Sequence, residues 1–374
     1  MESRAFLPIE PERGLTLEKF FPSDSLAGMR SLLESLPVLV PMLQGLVELR
    51  LVIDANIVQQ ELRWRSATRR NVNARSGLQE SLDAGVVVAL APEFLKSEIE
   101  DHLQDIAADT GVSVEKVAEH WRDFQSQLHF YEPRDSKPHA GSEVDPDDVV
   151  YVKTREELGA HAVYSRDLDL PKMNAPVISI SLDLTLRRHA RASSVVLGVT
   201  LGSGLTLMVG AGTLVGAYRL VEKGAKGIRG LPAWAQWSVA ACAVGVLAHP
   251  KTRRKLKELW SEALSVAGEL KPRVWATLGE IIIEFCRAQQ TAAETYKEIQ
   301  GALPKSGRST TVQRARLICL VSGEPLSIRE IERRMLQQGH RTRSRDFARY
   351  LRRVLRESGQ FVESGPDQWL LQAA

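Results

Sequence analysis

The chain of 374 residues contains few cysteines, little net charge and no signal-peptide pattern. Its three cysteines, Cys242, Cys286 and Cys319, form neither a CxxC motif nor a cluster. This scarcity argues against a disulfide framework or a zinc site and favours a reducing compartment. A formal net charge of +3 supports no inference about partners. No basic segment followed by an apolar core opens the chain, so we expect no cleaved signal peptide.

Two long stretches lack charged residues altogether, 192–218 and 230–248. A helix as long as the first stretch, at about 1.5 Å per residue, exceeds the ~30 Å hydrocarbon core of a bilayer. Basic residues flank both outer ends, and pairs such as Gly198 and Gly202 have the GxxxG spacing. We therefore expect residues 192–249 to form a transmembrane hairpin, in a bacterial-type inner membrane with both soluble parts cytoplasmic. The alternative is a buried hairpin or an oligomerisation element.

The first 190 residues alternate apolar, strand-like runs with helical patterns. LRLVIDAN covers 49–56, and its apolar run leads directly to Asp54. GVVVALAP covers 85–92, and HAVYS covers 161–165. Such alternation predicts a three-layer α/β domain with a mainly parallel sheet, here at 1–190 with an N-terminal helical extension. Beyond the uncharged stretches, the pattern predicts three further segments: amphipathic helices at 250–303, a linker at 304–311 and a C-terminal domain at 312–374.

Four acids stand at positions that a parallel sheet brings together. Asp54 ends the first strand, Glu98 lies in the helix after APEFLK, Asp148 enters the next helix, and Asp167 follows HAVYS. The carboxyl ends of parallel strands share one edge, where ligands bind. Two carboxylates 4 Å apart repel by about 4 kcal/mol at an effective dielectric of ~20, so such a cluster needs a cation. Hard oxygen ligands suit Mg²⁺ or Mn²⁺.

Each acid also has a structural interpretation. Asp148 alone suits a helix N-cap, Asp167 alone suits a turn, and Glu98 alone suits a solvated helix face. Asp54, directly after a buried strand, is the hardest to explain without a site. Asp169 is either an additional metal ligand or an outer-shell group, whereas Asp145 and Asp147 are expected to be loop acids.

VIDAN, APEFLKSEI and DPDDVVYVKTREELGAHAVYSRD together resemble the PIN-domain nucleases over residues 45–185. The resemblance implies a three-layer α/β domain that cuts RNA with a divalent metal. It places the family's four acids on Asp54, Glu98, Asp148 and Asp167, which are then both catalytic and metal-binding. Ser165 stands where the family more often has threonine. The helix after Asp148 departs from the family's small, apolar pattern.

A basic stretch, ELRWRSATRRNVNAR, follows the first strand at 61–75. Arginines with an interleaved aromatic can hold a phosphate backbone and stack on a base. The alternative is a solvated helix face with the tryptophan packed inward. The residues predicted to bind RNA are Asn56, Arg63, Trp64, Arg65, Arg69 and Arg70.

The C-terminal segment is basic, with 14 Lys and Arg against 7 Asp and Glu from residue 305 onward. Its pattern of three helices and a hairpin looks like a winged helix-turn-helix, with Ser327 and Ser344 expected to cap the second and third helices. The alternative is a protein-interaction or sensor domain. The predicted nucleic-acid contacts are Arg345, Arg349, Arg352 and Arg353 on the third helix.

These features predict a membrane-tethered, metal-dependent PIN-type ribonuclease with an RNA substrate and, through its C-terminal domain, a DNA, RNA or protein partner. A homo-oligomer and a toxin or defence role are further expectations, the latter from the family analogy alone. The rival hypothesis is a non-catalytic, membrane-associated DNA- or RNA-binding regulator whose PIN-like domain keeps its fold but not its activity.

Overall fold

A computed structural model describes most of the chain and divides it into two compact units. The first unit combines 1–45 with 188–294, and the second combines 46–187 with 295–374. The described residues are 16–35, 45–67, 74–134, 145–167, 169–209, 272–303, 310–338, 340, 342, 344 and 346–372. Each unit is described by itself below.

A five-stranded, all-parallel sheet forms the centre of the second unit. Its strands are β1 (Leu49–Ile53), β2 (Val87–Pro92), β3 (His129–Tyr131), β4 (Ala162–Tyr164) and β5 (Val177–Ile178). The spatial order is β3-β2-β1-β4-β5, so β1 is central. The last three residues of β1 are fully buried, as an uninterrupted apolar run in a two-sided sheet predicts. The predicted α/β class and parallel sheet are confirmed.

Helices connect these strands and cover the sheet. Helix α1 covers Ser25–Ser35 in the first unit, and the second unit contains α2 (Ala55–Ser66), α3 (Gly77–Asp83), α4 (Leu95–Thr110), α5 (Val114–Gln125) and α6 (Pro146–Leu158). Both α4 and α6 end on a glycine with φ of 69° or 62°. This left-handed conformation disfavours residues with a Cβ, so these glycines fix where the two helices stop.

The transmembrane prediction is wrong for the described part of the chain. There, no helix is long and apolar enough to cross a membrane. Helix α7 (Asp183–Val209) begins before the uncharged run, and inside that run Val195 is only 2% exposed. A Cβ added at Gly198 would collide with the ring of Phe21. Val195 and Gly198, near the start of the run, are therefore closely packed inside the first unit.

The second uncharged run, 230–248, lies outside the described residues, as does 210–218 of the first. The earlier part of the predicted amphipathic region, 250–271, lies outside them too. Its later part is helix α8 (Pro272–Ala302).

The C-terminal segment of the second unit contains three helices and a small antiparallel sheet. These are α9 (Thr311–Ser322), β6 (Leu326–Ser327), α10 (Ile328–Gln337), α11 (Phe347–Ser358), β7 (Phe361–Gly365) and β8 (Gln368–Leu371), with the strands in the order β6-β8-β7. The helices surround a core that includes the fully buried Trp369. Residues 304–309 of the predicted linker lie outside the described residues.

The caps of these helices confirm one expectation and correct another. Ser327 caps α10, since its side chain accepts a hydrogen bond from the backbone of Glu330. Ser344 does not cap α11, because Asp346 is closer to the helix and its Oδ1 accepts the Arg349 backbone N–H at 2.9 Å. Thr310 forms a capping box with Gln313, so α9 begins inside the predicted linker.

One buried arginine joins the C-terminal segment to the parallel sheet. Arg316 on α9 is only 4% exposed. Its Nη1 lies 3.3 Å from the carboxylate of Glu157 at the end of α6, and its Nε donates to Gln360 at 2.8 Å. The guanidinium also lies over the ring of Tyr131, whose hydroxyl donates to Glu157 at 2.6 Å. Removing the arginine would leave Glu157 partly buried without its cation.

We predict that Arg316→Ala lowers the free energy of unfolding by about 3 kcal/mol, since breaking one side of a buried ion pair strands the other. Chemical denaturation measures this change. The matched control is Arg329→Ala, an exposed arginine on α10 without an ion pair among the described residues, expected to change stability by less than about 0.5 kcal/mol. An equal loss of unfolding free energy in both variants would show that Arg316 does not stabilise the contact between the C-terminal segment and the parallel sheet.

Candidate active site

The pairing of β1 with β4 places Asp54 beside Ser165. Ile53 pairs with Tyr164, and the Asp54 backbone N–H donates to the Tyr164 carbonyl at 3.2 Å. The Asp54 carboxylate, 6% exposed, then accepts hydrogen bonds from the hydroxyl of Ser165 and, at 2.6 Å, from the amide of Asn56. The orientation of Asp54 is therefore fixed by residues from two neighbouring strand ends.

The same serine positions Asp167. Its hydroxyl oxygen accepts the Asp167 backbone N–H at 2.8 Å, and Asp167 Oδ1 accepts the Asp169 backbone N–H at 2.8 Å. Asp169 itself is exposed and forms an ion pair with Lys172. Asp167 therefore does stabilise a turn, but only one of its two carboxylate oxygens accepts the hydrogen bond of that turn. Metal binding by Asp167 and by Asp169 stays a prediction.

Helix α6 begins with three acids that have different roles. Asp145 is the N-cap, and its side chain accepts the Asp147 backbone N–H at 3.0 Å. Asp148 lies in the first turn, so its carboxylate is not needed as a cap. The negative charges are favourable at this helix end, where backbone N–H groups are unpaired. Asp145 was expected to be a loop acid and is instead the residue that starts the helix.

Glu98 on α4 is held by a residue that the sequence analysis missed. The hydroxyl of Tyr151, which is 1% exposed, donates to Glu98 Oε2 at 2.6 Å. Tyr151 follows Asp148 by three positions, so both side chains lie on the same face of α6. That spacing was the available signal, but an apolar helix face explains a tyrosine equally well.

Repulsion among these carboxylates appears in their protonation equilibria. Burial raises the pKa of Asp54, with a smaller contribution from the charge of Asp167, against the hydrogen bond from Ser165. Burial raises the pKa of Glu98, and the charge of Asp54 adds to it. The pKa of Asp148 rises to about 6, through burial and then the charge of Asp167. The four acids therefore share one region at the carboxyl edge of the sheet.

The donor chemistry of this region suits a hard divalent cation. It offers four carboxylates, and within the described residues no lysine or arginine forms an ion pair with any of them. However, no three His, Cys, Asp or Glu side chains in the described part of the chain are grouped closely enough to hold an ion. Binding Mg²⁺ or Mn²⁺ thus requires side-chain rotations, and Glu98 and Asp148 have torsions that permit them.

The predicted RNA-binding arginines are engaged with protein groups. Arg63 pairs with the exposed Asp109 at 2.9 Å. Arg65 pairs with the buried Glu61 at 3.0 Å and lies over the ring of Phe124. Arg69 and Arg70 lie outside the described residues. RNA contact by these side chains stays a prediction.

Trp64 lines a cavity of about 460 Å³ rather than packing wholly inward. Other walls of this cavity come from Tyr164, Asp183 and Arg187. None of the four candidate acids lines it. The described structure thus places Trp64 beside a separate recess, and base stacking by Trp64 remains a prediction.

The arginines of α11 are mostly neutralised by nearby acids. Arg352 pairs with Asp367 at 2.7 Å, and Arg353 lies 3.8 Å from Glu357. Arg349 is exposed and forms no ion pair with the described residues. Arg345 lies outside the described residues. For Arg352 or Arg353 to bind a phosphate, the phosphate has to replace the acid with which each arginine is paired.

We predict that Asp148→Asn stabilises the protein above pH 6. The folded-state pKa of about 6 exceeds the ordinary 3.8, so the folded state binds more protons than the unfolded state between these values. Stability therefore falls as pH rises through this window, and the full penalty persists above it. The variant removes the penalty, by about 1 kcal/mol after allowance for solvent screening.

Urea denaturation at pH 4 and at pH 7.5 measures this effect, with a difference expected only at the higher pH. Asp101→Asn, an exposed acid on the same domain's α4, is the matched control and should change little at either pH. A loss of stability in Asp148→Asn at pH 7.5 would contradict the prediction.

Comparison with other proteins adds no identification. No protein-family model, no curated protein and no solved structure matches the chain. The resemblance to the PIN-domain nucleases therefore rests on the residues of VIDAN, SEI and SRD and on the parallel sheet that carries them.

Proposed function

We propose that the chain is a metal-dependent PIN-type ribonuclease that hydrolyses RNA phosphodiester bonds. The observation that supports it is the meeting of Asp54, Glu98, Asp148 and Asp167 at the carboxyl edge of a parallel sheet. Three of them have raised pKa values. Carboxylates that repel one another and that form no ion pair with a lysine or arginine among the described residues lower the stability of the fold. Such a loss of stability is characteristic of sites selected for function.

The residues divide the chemical tasks between them. When bound, Mg²⁺ or Mn²⁺ supplies Lewis acidity toward the scissile phosphodiester. Asp54 is the most rigid ligand, since Asn56 and Ser165 hold it. Asp148, with a pKa near 6, is ionised at neutral pH and accepts a proton more readily than an ordinary aspartate.

The rival proposal is a non-catalytic nucleic-acid-binding protein with a PIN-like scaffold. The observation that favours it is the lack, within the described residues, of three acids close enough to hold one ion. Under this proposal the carboxylates do not bind a metal ion together. Adding Mn²⁺ then neither stabilises the protein against unfolding nor leads to cleavage of RNA. The two proposals separate on metal binding and on cleavage.

The C-terminal segment is proposed to be a winged helix-turn-helix-like domain that binds DNA, RNA or a protein partner. Three helices around an antiparallel sheet support the likeness. The exposed Arg349 on α11 supports a phosphate contact, whereas the acids beside Arg352 and Arg353 weigh toward a protein partner.

We predict that the purified protein cleaves single-stranded RNA with Mn²⁺ and that Asp148→Asn lowers the rate at least about 100-fold, the usual range for losing a general base or a ligand. Labelled RNA resolved by gel electrophoresis measures the rate. Asp101→Asn is the control and should cleave normally. Cleavage that survives Asp148→Asn, or that continues in excess EDTA, would refute the proposal.

We predict that Tyr151→Phe weakens Mn²⁺ binding by about 10-fold, because an outer-shell hydrogen bond orients its ligand. Without its tyrosine donor, Glu98 also loses the interaction that opposes its raised pKa. Calorimetric titration with Mn²⁺ gives the dissociation constant. Tyr350→Phe, on the distant α11, should bind as the parent does, and equal affinity in both variants would exclude a role for Tyr151.

A further inference from the structure

Four basic residues meet near the opposite, amino-terminal edge of the same sheet. Arg50 is near the start of β1 and His161 directly precedes β4. Arg155 lies in the last turns of α6, and Arg314 lies on α9. We call these four residues the basic cluster. They come from four separate elements of the second unit.

Hydrogen bonds bring these elements together. The Arg50 backbone N–H lies 3.1 Å from His161 Nδ1, and Arg50 Nη2 lies 3.0 Å from His161 Nε2. Gln313, next to Arg314, donates to the carbonyl of Glu156, next to Arg155, at 2.7 Å. The charges of all three arginines contribute to lowering the pKa of His161, after the larger effect of burial.

The contacts between Arg50 and His161 cannot both be satisfied. A neutral imidazole carries its proton either on Nδ1 or on Nε2. In the first case the Arg50 backbone N–H faces another N–H, and in the second case the guanidinium does. An acceptor placed beside Nε2 and Nη2 would satisfy both donors at once.

The guanidinium groups have further unused donors. The Nε atoms of Arg50, Arg155 and Arg314 are buried and have no hydrogen-bond partner among the described residues. The charges of Glu48 and Glu156 raise the pKa of Arg50 and Arg155, respectively, against the larger effect of burial. Among the described residues, no ion pair involves Arg155 or Arg314, and Glu156 pairs with Lys153.

Partly buried arginines whose Nε atoms are buried without a hydrogen-bond partner are costly, so the arrangement favours binding of an anion. Guanidinium forks match tetrahedral oxyanions, because several N–H groups reach different oxygens of one phosphate. A dianionic phosphate balances two of the three arginine charges. Because these Nε atoms are not exposed to solvent, a small solute reaches the cluster with less rearrangement of the chain than a polymer backbone, which would need an open groove.

We propose that the basic cluster binds the phosphate group of a small anion, either inorganic phosphate or the terminal phosphate of a mononucleotide. The ligand would lie between α6, α9 and the amino ends of β1 and β4. It would therefore connect the C-terminal segment to the sheet, at the edge away from Asp54 and Asp167. The site does not depend on the nuclease proposal, and its ligand is not the RNA substrate.

Thermal unfolding of the full-length protein tests this site. Inorganic phosphate at ten times its dissociation constant should raise Tm by about 3 °C, whereas KCl at equal ionic strength should not. Adenosine monophosphate in place of phosphate distinguishes the two sources, since a larger shift identifies a nucleotide site and an equal shift identifies free phosphate. Titration calorimetry gives each dissociation constant.

Substitutions in the cluster make the test specific. Arg314→Gln and Arg155→Gln should each abolish the phosphate-dependent shift, and without phosphate each should melt at or above the parent Tm because like-charge repulsion is relieved. Arg329→Gln, an exposed arginine of α10, should keep the full shift. The proposal is overturned by no shift with either phosphate probe, by an unchanged shift in both cluster variants, or by a shift that only an unphosphorylated RNA oligonucleotide produces.

Discussion

The parallel register of β1 against β4 is the constraint on which both charged sites of the second unit depend. At the carboxyl end of the pair, this register puts the Asp54 backbone on Tyr164 and so brings Ser165 to the Asp54 carboxylate. At the amino end, the same register puts the His161 backbone N–H on the Arg50 carbonyl at 2.8 Å. A slip of one residue would turn every side chain to the opposite face and separate both sets of groups.

The two sites carry opposite charge and lie only one short strand apart. From Arg50 to Asp54 the strand spans about 13 Å at roughly 3.3 Å per residue. The intervening residues of β1 are fully buried, so water and salt do not screen this path as they would a surface. Charges of opposite sign at the two edges therefore attract each other through the sheet.

The sequence alone predicts the parts of this arrangement that are local. A carboxylate directly after an apolar run, as at Asp54, signals a strand end at the ligand-binding edge, and the α/β class follows from alternating patterns. The edge strands β3 and β5 were not identified, because runs of three and two residues carry no periodicity. The cap at Asp346 was misplaced by two residues, since Ser344 is an equally good cap by type.

Contacts between distant segments are beyond such patterns. The spacing of Tyr151 from Asp148 puts both on one helix face but does not show that Tyr151 reaches Glu98. The meeting of Arg50 with Arg314 depends on tertiary packing that no spacing encodes. For the described residues, the transmembrane expectation failed for a related reason. Low charge and abundant glycine describe a helix in lipid and a helix packed tightly on Phe21 equally well, and only the packing partner distinguishes them.

The contact between Arg316 and Glu157 has a consequence for the order in which the protein folds during its synthesis. Arg316 and Glu157 are 159 residues apart in the chain. During synthesis from the N-terminus, the sheet and α6 leave the ribosome long before α9 exists. Until α9 is synthesised, Glu157 and Tyr131 lack their contact with Arg316, and the second unit is incomplete. Completion of the second unit is therefore a late event that depends on a contact between distant parts of the chain.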